Sequence, residues 1–270
     1  MKEYDFYIVP TPIGNLKDIT LRAIEVLKSV DIIACEDIRV TQKLLNHYEI
    51  KTKCVSYHKF NEKERVDYFL ELLSQGKKIA LVSDAGTPLF CDPGAVLVRE
   101  LKKHNFSITS LAGANAVATF LSQVAREDED FVFVGFLPKI ENQIKNIISK
   151  YKSTDIVFYE SPNRLLNTLE IIAKNRIGAK TAIARELTKV FEEVIEDNIE
   201  NVIDYFKNNT LKGEIVGLVF RDSSNENIDV QDKISKLKAK GYSAKDISVI
   251  ISQLYELNKN DIYQQCIKDN

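Results

Sequence analysis

The sequence predicts an α/β protein made of two α/β domains and a small C-terminal helical extension. Short apolar runs, strand-like in length, alternate with longer segments whose apolar residues recur every three or four positions. Most of the strand-like runs break abruptly into glycine, proline, serine and charged residues. The domains are expected at 1–113 and 114–222, with an acidic stretch at 125–130 near the boundary, and a polar linker at 222–227 leads to the helical tail at 228–270.

The elements follow in order. Phe6-Tyr7-Ile8-Val9 reads as a buried strand, and the prolines at 10 and 12 forbid a helix directly after it. Thr20 can cap a helix that carries Leu21, Ile24 and Leu27 on one face. Strands at 31–35 and 54–57 flank a helix containing Leu44 and Leu45. An amphipathic helix over 62–75 turns Val66, Phe69, Leu70 and Leu73 inward and stops at Gly76. A four-residue strand at 79–82 leads to a helix near 93–104, a strand at 107–111, and a helix opened by residues 113–116. The second half repeats the alternation: strands at 131–135, 156–159, 181–184, 191–195 and 214–220, with helices near 141–151, after Pro162, and at 199–206. The tail reads as two or three short helices, with Lys233, Lys236, Lys238 and Lys240 crowded around the first.

Composition narrows the function classes. Apolar residues make up 44% and charged residues 28% of 270, with a net charge of −2, so a nucleic-acid partner would have to meet a local basic patch. The four cysteines are scattered without a C-x-x-C pair and the three histidines lack ligand spacing, so neither a disulfide framework nor a metal site is expected. The N-terminus is charged and leads straight into a strand, and no apolar run approaches the ~20 residues of a membrane span. A cytoplasmic location is the expectation. The dinucleotide and P-loop glycine patterns and the G-x-S-x-G elbow are absent.

The strand ends carry the chemistry. In open α/β sheets, ligands sit outside the carboxyl ends of strands. After the strand at 79–82 come Ser83-Asp84-Ala85-Gly86-Thr87-Pro88 and then Asp92-Pro93-Gly94. Gly86 allows close backbone approach, Thr87 offers a hydroxyl, and Asp84 can accept hydrogen bonds from a ligand. A ligand-free turn accounts for the same residues. In Glu36-Asp37-x-Arg39-x-Thr41, Arg39 can clamp a phosphate and Glu36 or Asp37 can orient it, although a surface ion-pair cluster is the commoner fate of such charges. Glu160-Ser161-Pro162-Asn163-Arg164 is either a helix entrance or part of a site, and Arg185-Glu186-Leu187-Thr188-Lys189 either a salt-bridged turn or the same. If both halves turn these ends to one cleft, they form a pocket between domains.

Taken together, these segments resemble the tetrapyrrole methylase superfamily. The resemblance rests on Val9-Pro10-Thr11-Pro12-Ile13-Gly14-Asn15-Leu16 with Asp18-Ile19-Thr20, on Glu36-Asp37-x-Arg39-x-Thr41, on Asn61-Glu62 and on the run from Ala80 to Pro88. It continues through Gly135-Phe136-Leu137-Pro138, Phe158-Tyr159-Glu160-Ser161-Pro162, Ala184-Arg185-Glu186-Leu187-Thr188-Lys189, Lys212-Gly213-Glu214 and the tail's Lys259-Asn260 and Tyr263. These motifs span nearly the whole chain in order. Leu111-Ala112-Gly113-Ala114-Asn115 departs from the family's usual proline-glycine-proline turn, as do Ile38, Val40 and Asn163 from its usual residues.

The resemblance implies S-adenosylmethionine in a cleft between two α/β domains, usually in a homodimer. By the family's pattern Pro12, Ile13, Ser83, Asp84, Gly86, Thr87, Gly113, Ala114 and Asn115 would line the cofactor pocket from the first domain, and Tyr159, Ala184 and Arg185 from the second. The implied reaction is 2′-O-methylation of a cytidine ribose in 16S ribosomal RNA, with the assembled 30S subunit as the expected substrate. The alternatives are a sibling acting on a corrinoid or diphthamide precursor and a non-catalytic sensor. A ribose hydroxyl is a weak nucleophile, so a base should help. Asp84, Glu160, Glu186 and Lys189 are candidates, with Glu160 and Lys189 expected nearest the ribose. Arg39, Arg164 and Arg185 are the expected phosphate contacts, with Glu36 beside them. No metal is expected.

Overall fold

The computed structural model describes residues 3–127, 130–209, 211–222, 230–255 and 257–268. The linker read at 222–227 lies outside the described residues except for Asp222. The chain forms two compact units, Met1–Phe220 and Arg221–Asn270. Both α/β sheets lie in the first unit.

The first sheet contains β1 (Phe6–Ile8), β2 (Ile32–Cys35), β3 (Lys53–Ser56), β4 (Ile79–Val82) and β5 (Ile108–Ser110), all parallel, in the order β3-β2-β4-β1-β5. Burial on both faces explains the continuous apolar runs. Helices α1 (Leu21–Ser29) and α2 (Ile38–His47) cover the face presented by Tyr7, Val9, Ala80 and Val82. Helices α3 (Glu62–Ser74) and α4 (Ala95–Lys103) cover the opposite face, presented by Phe6, Ile79 and Leu81. Adjacent strands β1 and β4 thus send their helices to opposite sides. That is a topological switch point, and a crevice opens outside their carboxyl ends. The local signals are where the sequence puts them: the Thr20 hydroxyl accepts a hydrogen bond from Ala23 N (3.1 Å) and caps α1. A single 3-10 turn, Leu16–Asp18, interrupts the loop before it.

The second sheet contains β6 (Phe131–Phe136), β7 (Asp155–Glu160), β8 (Lys180–Arg185), β9 (Glu193–Asn198) and β10 (Ile215–Val219), in the order β6-β7-β10-β8-β9. Only β6 and β7 run parallel; the other pairs are antiparallel. Helices α6 (Glu141–Lys150), α7 (Pro162–Asn175) and α8 (Ile199–Asn208) cover one face around Phe158, Leu165, Leu169 and Phe206. Helix α5 (Ala116–Leu121) packs Val117 and Phe120 on the other face, against Val157, Ala182, Ala184 and Val216. Ile13, from the loop after β1, enters this same cluster and ties the first sheet's strand ends to the second sheet.

The second unit consists of α9 (Val230–Ala239), α10 (Ala244–Tyr255) and α11 (Lys259–Lys268) around Ile234, Ile247, Ile251, Ile262 and Cys266. Lys236 on α9 pairs with Asp232 one turn earlier (2.7 Å). Among the described residues no helix is long and apolar enough to cross a membrane, and no group of three or more histidine, cysteine, aspartate or glutamate residues is arranged to hold a metal.

Candidate methyl-donor site

The loops after β1 and β4 meet at the switch point and are clipped together there. Thr11 N donates to Gly86 O (2.8 Å), Gly86 N to Thr11 O (2.9 Å), and the Thr11 hydroxyl to Ser83 O (3.1 Å). Ser83 is buried, and its hydroxyl donates to the carbonyls of Ala85 and Gly86 (3.2 and 3.3 Å), which folds the turn back on itself. Gly86 sits at φ +76°, where a side chain would be strained and a Cβ would lie 3.3 Å from Ile13 Cγ2.

Outside this clip lies a cavity of about 400 Å³, inside the usual range for small-molecule sites. The first half contributes Ile13, Asp84, Gly86, Thr87, Asn115 and the segment Phe90-Cys91-Asp92. The second half closes it with Phe136, Tyr159, Leu187, Gly213, Glu214 and Val216. Phe90 stacks on Phe133 (4.7 Å between centroids), and Tyr159 packs edge-on to Phe133 and tilted against Phe136, which makes an aromatic wall. A smaller hollow of about 260 Å³ adjoins it, bordered by Thr11, Pro12, Gly14, Lys43, Lys189 and neighbouring residues. Ile13, Asp84, Ala85 and Glu214 border both spaces.

The field around the crevice is negative. Asp84 Oδ1 accepts a hydrogen bond from Asp37 N (3.0 Å), linking the ends of β2 and β4. Partial desolvation raises the Asp84 pKa, and that hydrogen bond offsets it only in part. Burial likewise pushes Asp92 up against a hydrogen bond with Ser83, and pushes up Glu36, which also faces Asp84 and Asp92. Burial raises the Tyr159 phenol and the Cys91 thiol as well. Such a site favours a cation, and its aromatic and backbone-lined walls suit a flat heterocycle. S-adenosylmethionine, a sulfonium attached to a nucleoside, fits both properties. Of the residues expected from sequence to hold it, Ile13, Gly86, Thr87 and Asn115 line the cavity on one side and Tyr159 on the other.

The remaining residues singled out from sequence are distributed unevenly. Pro12 and Lys189 border the smaller hollow. Gly113 is pressed against Pro10, where a Cβ would come within 2.6 Å of the ring, and the Ala114 carbonyl accepts the Thr87 hydroxyl (3.0 Å). Asn115 caps α5, its Oδ1 accepting from Val117 N at 3.0 Å. Ala184 is fully buried in β8 and Arg185 pairs with Glu193 (3.2 Å); neither lines the cavity. Glu160 is 2% exposed, and its carboxylate points inward. Oε1 accepts from Ser161 N (2.8 Å), and Oε2 accepts from the Thr168 hydroxyl (2.8 Å) and pairs with Arg164 (3.2 Å). Arg164 in turn donates to the carbonyls of Leu137 and Pro138 (2.8 Å each), clamping the loop after β6. Lys189 Nζ bonds Glu186 (2.8 Å) and Glu214 (3.0 Å); burial opposes its charge, but the two carboxylates outweigh it and raise its pKa. Arg39 is 89% exposed and pairs with Asp37 (2.6 Å), whose carboxyl is held at about 2 by that guanidinium.

Several lining residues carried a signal that sequence reasoning did not turn into a role. Phe136 and Gly213-Glu214 fall in motifs quoted for the family resemblance, and Asp92 lies in the turn noted after β4. Phe136 is turned towards Tyr159 by an irregularity in β6, where Gly135 takes φ +68°. Gly213 and Glu214 precede a strand rather than follow one. Because β10 is antiparallel to β7 and β8, its beginning lies beside their ends, with Ile215 opposite both Glu160 and Arg185.

Glu62 explains part of the wall. Its Oε1 accepts from the Tyr57 hydroxyl (2.9 Å), Gly94 N (2.8 Å) and Val96 N (3.4 Å), so it pins the start of α4 from 32 residues away. Asn61 fixes the preceding turn through His58 N (2.8 Å) and Ser56 O (3.3 Å).

Sequence comparison matches residues 5–203 to the family described as Tetrapyrrole (Corrin/Porphyrin) Methylases. The chain is similar to a protein of Rickettsia prowazekii named Ribosomal RNA small subunit methyltransferase I, with 40% identity covering 96% of this chain and 92% of that one. It is also similar to the Bacillus subtilis protein of the same name, with 43% identity over 84% of this chain and 78% of that one. Among solved structures, diphthine synthase shares the fold at a TM-score of 0.64 with 13% identity, covering 80% of this chain and 89% of that chain. The methyltransferase CobJ does so at 0.60 with 17% identity, covering 82% and 95%. The chain belongs to the tetrapyrrole methylase family.

Proposed function

We propose that the chain transfers a methyl group from S-adenosylmethionine to the ribose 2′-oxygen of a cytidine in 16S ribosomal RNA. The observation that carries this reading is the cavity at the β1/β4 switch point, walled by the second sheet, in a chain 40% identical over 96% of its length to a small-subunit ribosomal RNA methyltransferase. The donor, when bound, supplies an already activated methyl on a sulfonium, so the protein's work is placement and exclusion of water. Asp92 supplies negative charge for the sulfonium, and Phe90, Phe136 and Tyr159 supply an apolar surface. Arg39 stands free of the crevice on an exposed helix start, where it can exchange Asp37 for a phosphate. Lys189 is already neutralised by two carboxylates, which suits a lock between the strand ends of the second sheet. A target nucleotide has to leave its stack to present the ribose in a crevice of this depth.

The partner in this reading is 16S RNA within the 30S subunit, in the cytoplasm, and the working form is a homodimer. Incorporation of labelled methyl into 16S RNA tests it, with free RNA, 30S particles, a corrinoid precursor and a diphthamide-precursor protein compared side by side. Label in 30S RNA, recovered as 2′-O-methylcytidine, is the expected result. Label in the corrinoid or the protein alone would replace the reading, and binding of donor without transfer to any acceptor would leave a sensor.

A further inference from the structure

Methylating a hydroxyl releases a proton, and the two groups first expected to take it border the two spaces but are engaged by other residues. Both oxygens of Glu160 are engaged in the interior, and Lys189 is held protonated by Glu186 and Glu214. An acceptor of the proton must reach the 2′-oxygen, which sits where the nucleoside's space meets the donor's. Of the ionisable residues around the two spaces, Asp84 and Glu214 border both. Glu214 is tied to Lys189. Asp84 is solvent-accessible, accepts one hydrogen bond through Oδ1 from Asp37 N, and has no ion-pair partner among the described residues. Its second oxygen is free to accept.

We propose that the smaller hollow seats the acceptor nucleoside and that Asp84 is the catalytic residue that takes the ribose 2′-proton. The inference rests on the ribose-methylation reading above. In the step, the 2′-oxygen forms its bond to the methyl carbon as the carbon–sulfur bond breaks and its electron pair returns to sulfur. The hydroxyl proton passes to the Asp84 carboxylate and is later released to water. The sulfonium ends as a neutral thioether, so charge balances. Lys43 at the rim of the hollow offers a cation to the nucleotide's phosphate. The charged groups facing Asp84 are Glu36 and Asp37 from the end of β2, Asp92 from the loop after β4, Lys43 from α2, and Lys189 and Glu214 from the second sheet. Partial desolvation, with the Asp37 charge beside it, keeps its proton affinity above that of an ordinary aspartate. Activity therefore falls as pH drops through a value raised from that of an ordinary aspartate.

Asp84→Asn tests the assignment, because asparagine keeps an oxygen for the Asp37 N–H. The expected results are a fall in kcat of about 10²–10⁴-fold, the range for a lost general base, and loss of the acid limb of the pH–rate profile. Calorimetric affinities for S-adenosylmethionine and S-adenosylhomocysteine should stay within about twofold, the scale of a group that does not bind the donor. Near-normal kcat would overturn the proposal. So would a selective loss of affinity for the charged donor over its neutral product, which would make Asp84 a sulfonium ligand instead. A second measurement needs neither the variant nor turnover: the Asp84 carboxyl resonance in wild-type protein loaded with S-adenosylhomocysteine. Cytidine 5′-monophosphate should shift it more than 2′-deoxycytidine 5′-monophosphate does, and equal shifts would count against the contact. If the wild-type enzyme methylates no ribose, the functional reading fails by itself, whatever this titration shows.

Discussion

At the scale of single residues, the crevice depends on side chains that are absent as much as on those present. Gly86→Ala places a methyl at φ +76° and 3.3 Å from Ile13 Cγ2. It should cost about 1–2 kcal/mol in thermal unfolding and weaken donor binding by calorimetry. Asp92 carries the opposite kind of strain. Its folded-state pKa is raised by burial, so the folded protein binds the proton more tightly than the unfolded chain does. The stabilisation linked to that proton is complete below the unfolded value and is lost as pH rises through the folded one. Asp92→Asn should therefore raise Tm at neutral pH, with the gain shrinking as pH falls through the raised folded value and gone below about 4, the ordinary aspartate range. Arg39→Ala should weaken 16S RNA binding, reduce the slope of log affinity against log salt by about 1, and leave donor affinity unchanged. A parallel loss of donor affinity would place Arg39 at the donor rather than at the RNA.

At the scale of elements, the segment between β4 and α4 carries Phe90, Cys91 and Asp92 into the cavity on an unusual backbone. Leu89 (φ +67°), Cys91 (φ +77°) and Gly94 (φ +134°) all take positive φ. Glu62 holds that path through Gly94 and Val96. Glu62→Ala should lower stability by about 2–3 kcal/mol, the scale for hydrogen bonds to a charged group, and weaken donor binding. Glu62→Gln, which keeps an acceptor oxygen, should restore most of both.

The same elements show what was legible in the sequence. The Thr20 cap, the inward face of α3 and the four residues of β4 are local patterns, and the structure has them in place. Asn61-Glu62 was visible as a motif, but its role depends on a partner 32 residues away and left no local trace. Pro162 opens α7 as expected, yet the Ser161 side chain makes no capping bond and Glu160 accepts the Ser161 N–H instead. A carboxylate at a strand end can turn towards solvent or towards Thr168 and Arg164, and spacing does not distinguish the two. Glu214 escaped because strand-end reasoning looks after strands, whereas an antiparallel β10 brings its beginning to the cavity.

At the scale of the molecule, a net charge of −2 and an acidic crevice set the terms for an RNA partner. Attraction must come from local cations such as Arg39 and Lys43 and from the lysines of α9, and the acidic groups must face the donor. The unit Met1–Phe220 contains both sheets and the whole cavity, so a chain ending at Phe220 should fold and bind donor with unchanged affinity. If the lysines of the second unit hold RNA, that shortened chain should lose methyl transfer to 30S particles far more than it loses donor binding. Full transfer by the shortened chain would remove the tail from the substrate interface.

The most direct measurement is a crystal structure of the full chain with S-adenosylhomocysteine. The account predicts that the product's sulfur lies in the cavity between the 84–92 segment and Tyr159, on the side facing Asp84. A ligand seated anywhere else, or a sulfur turned away from Asp84 and the smaller hollow, would contradict it.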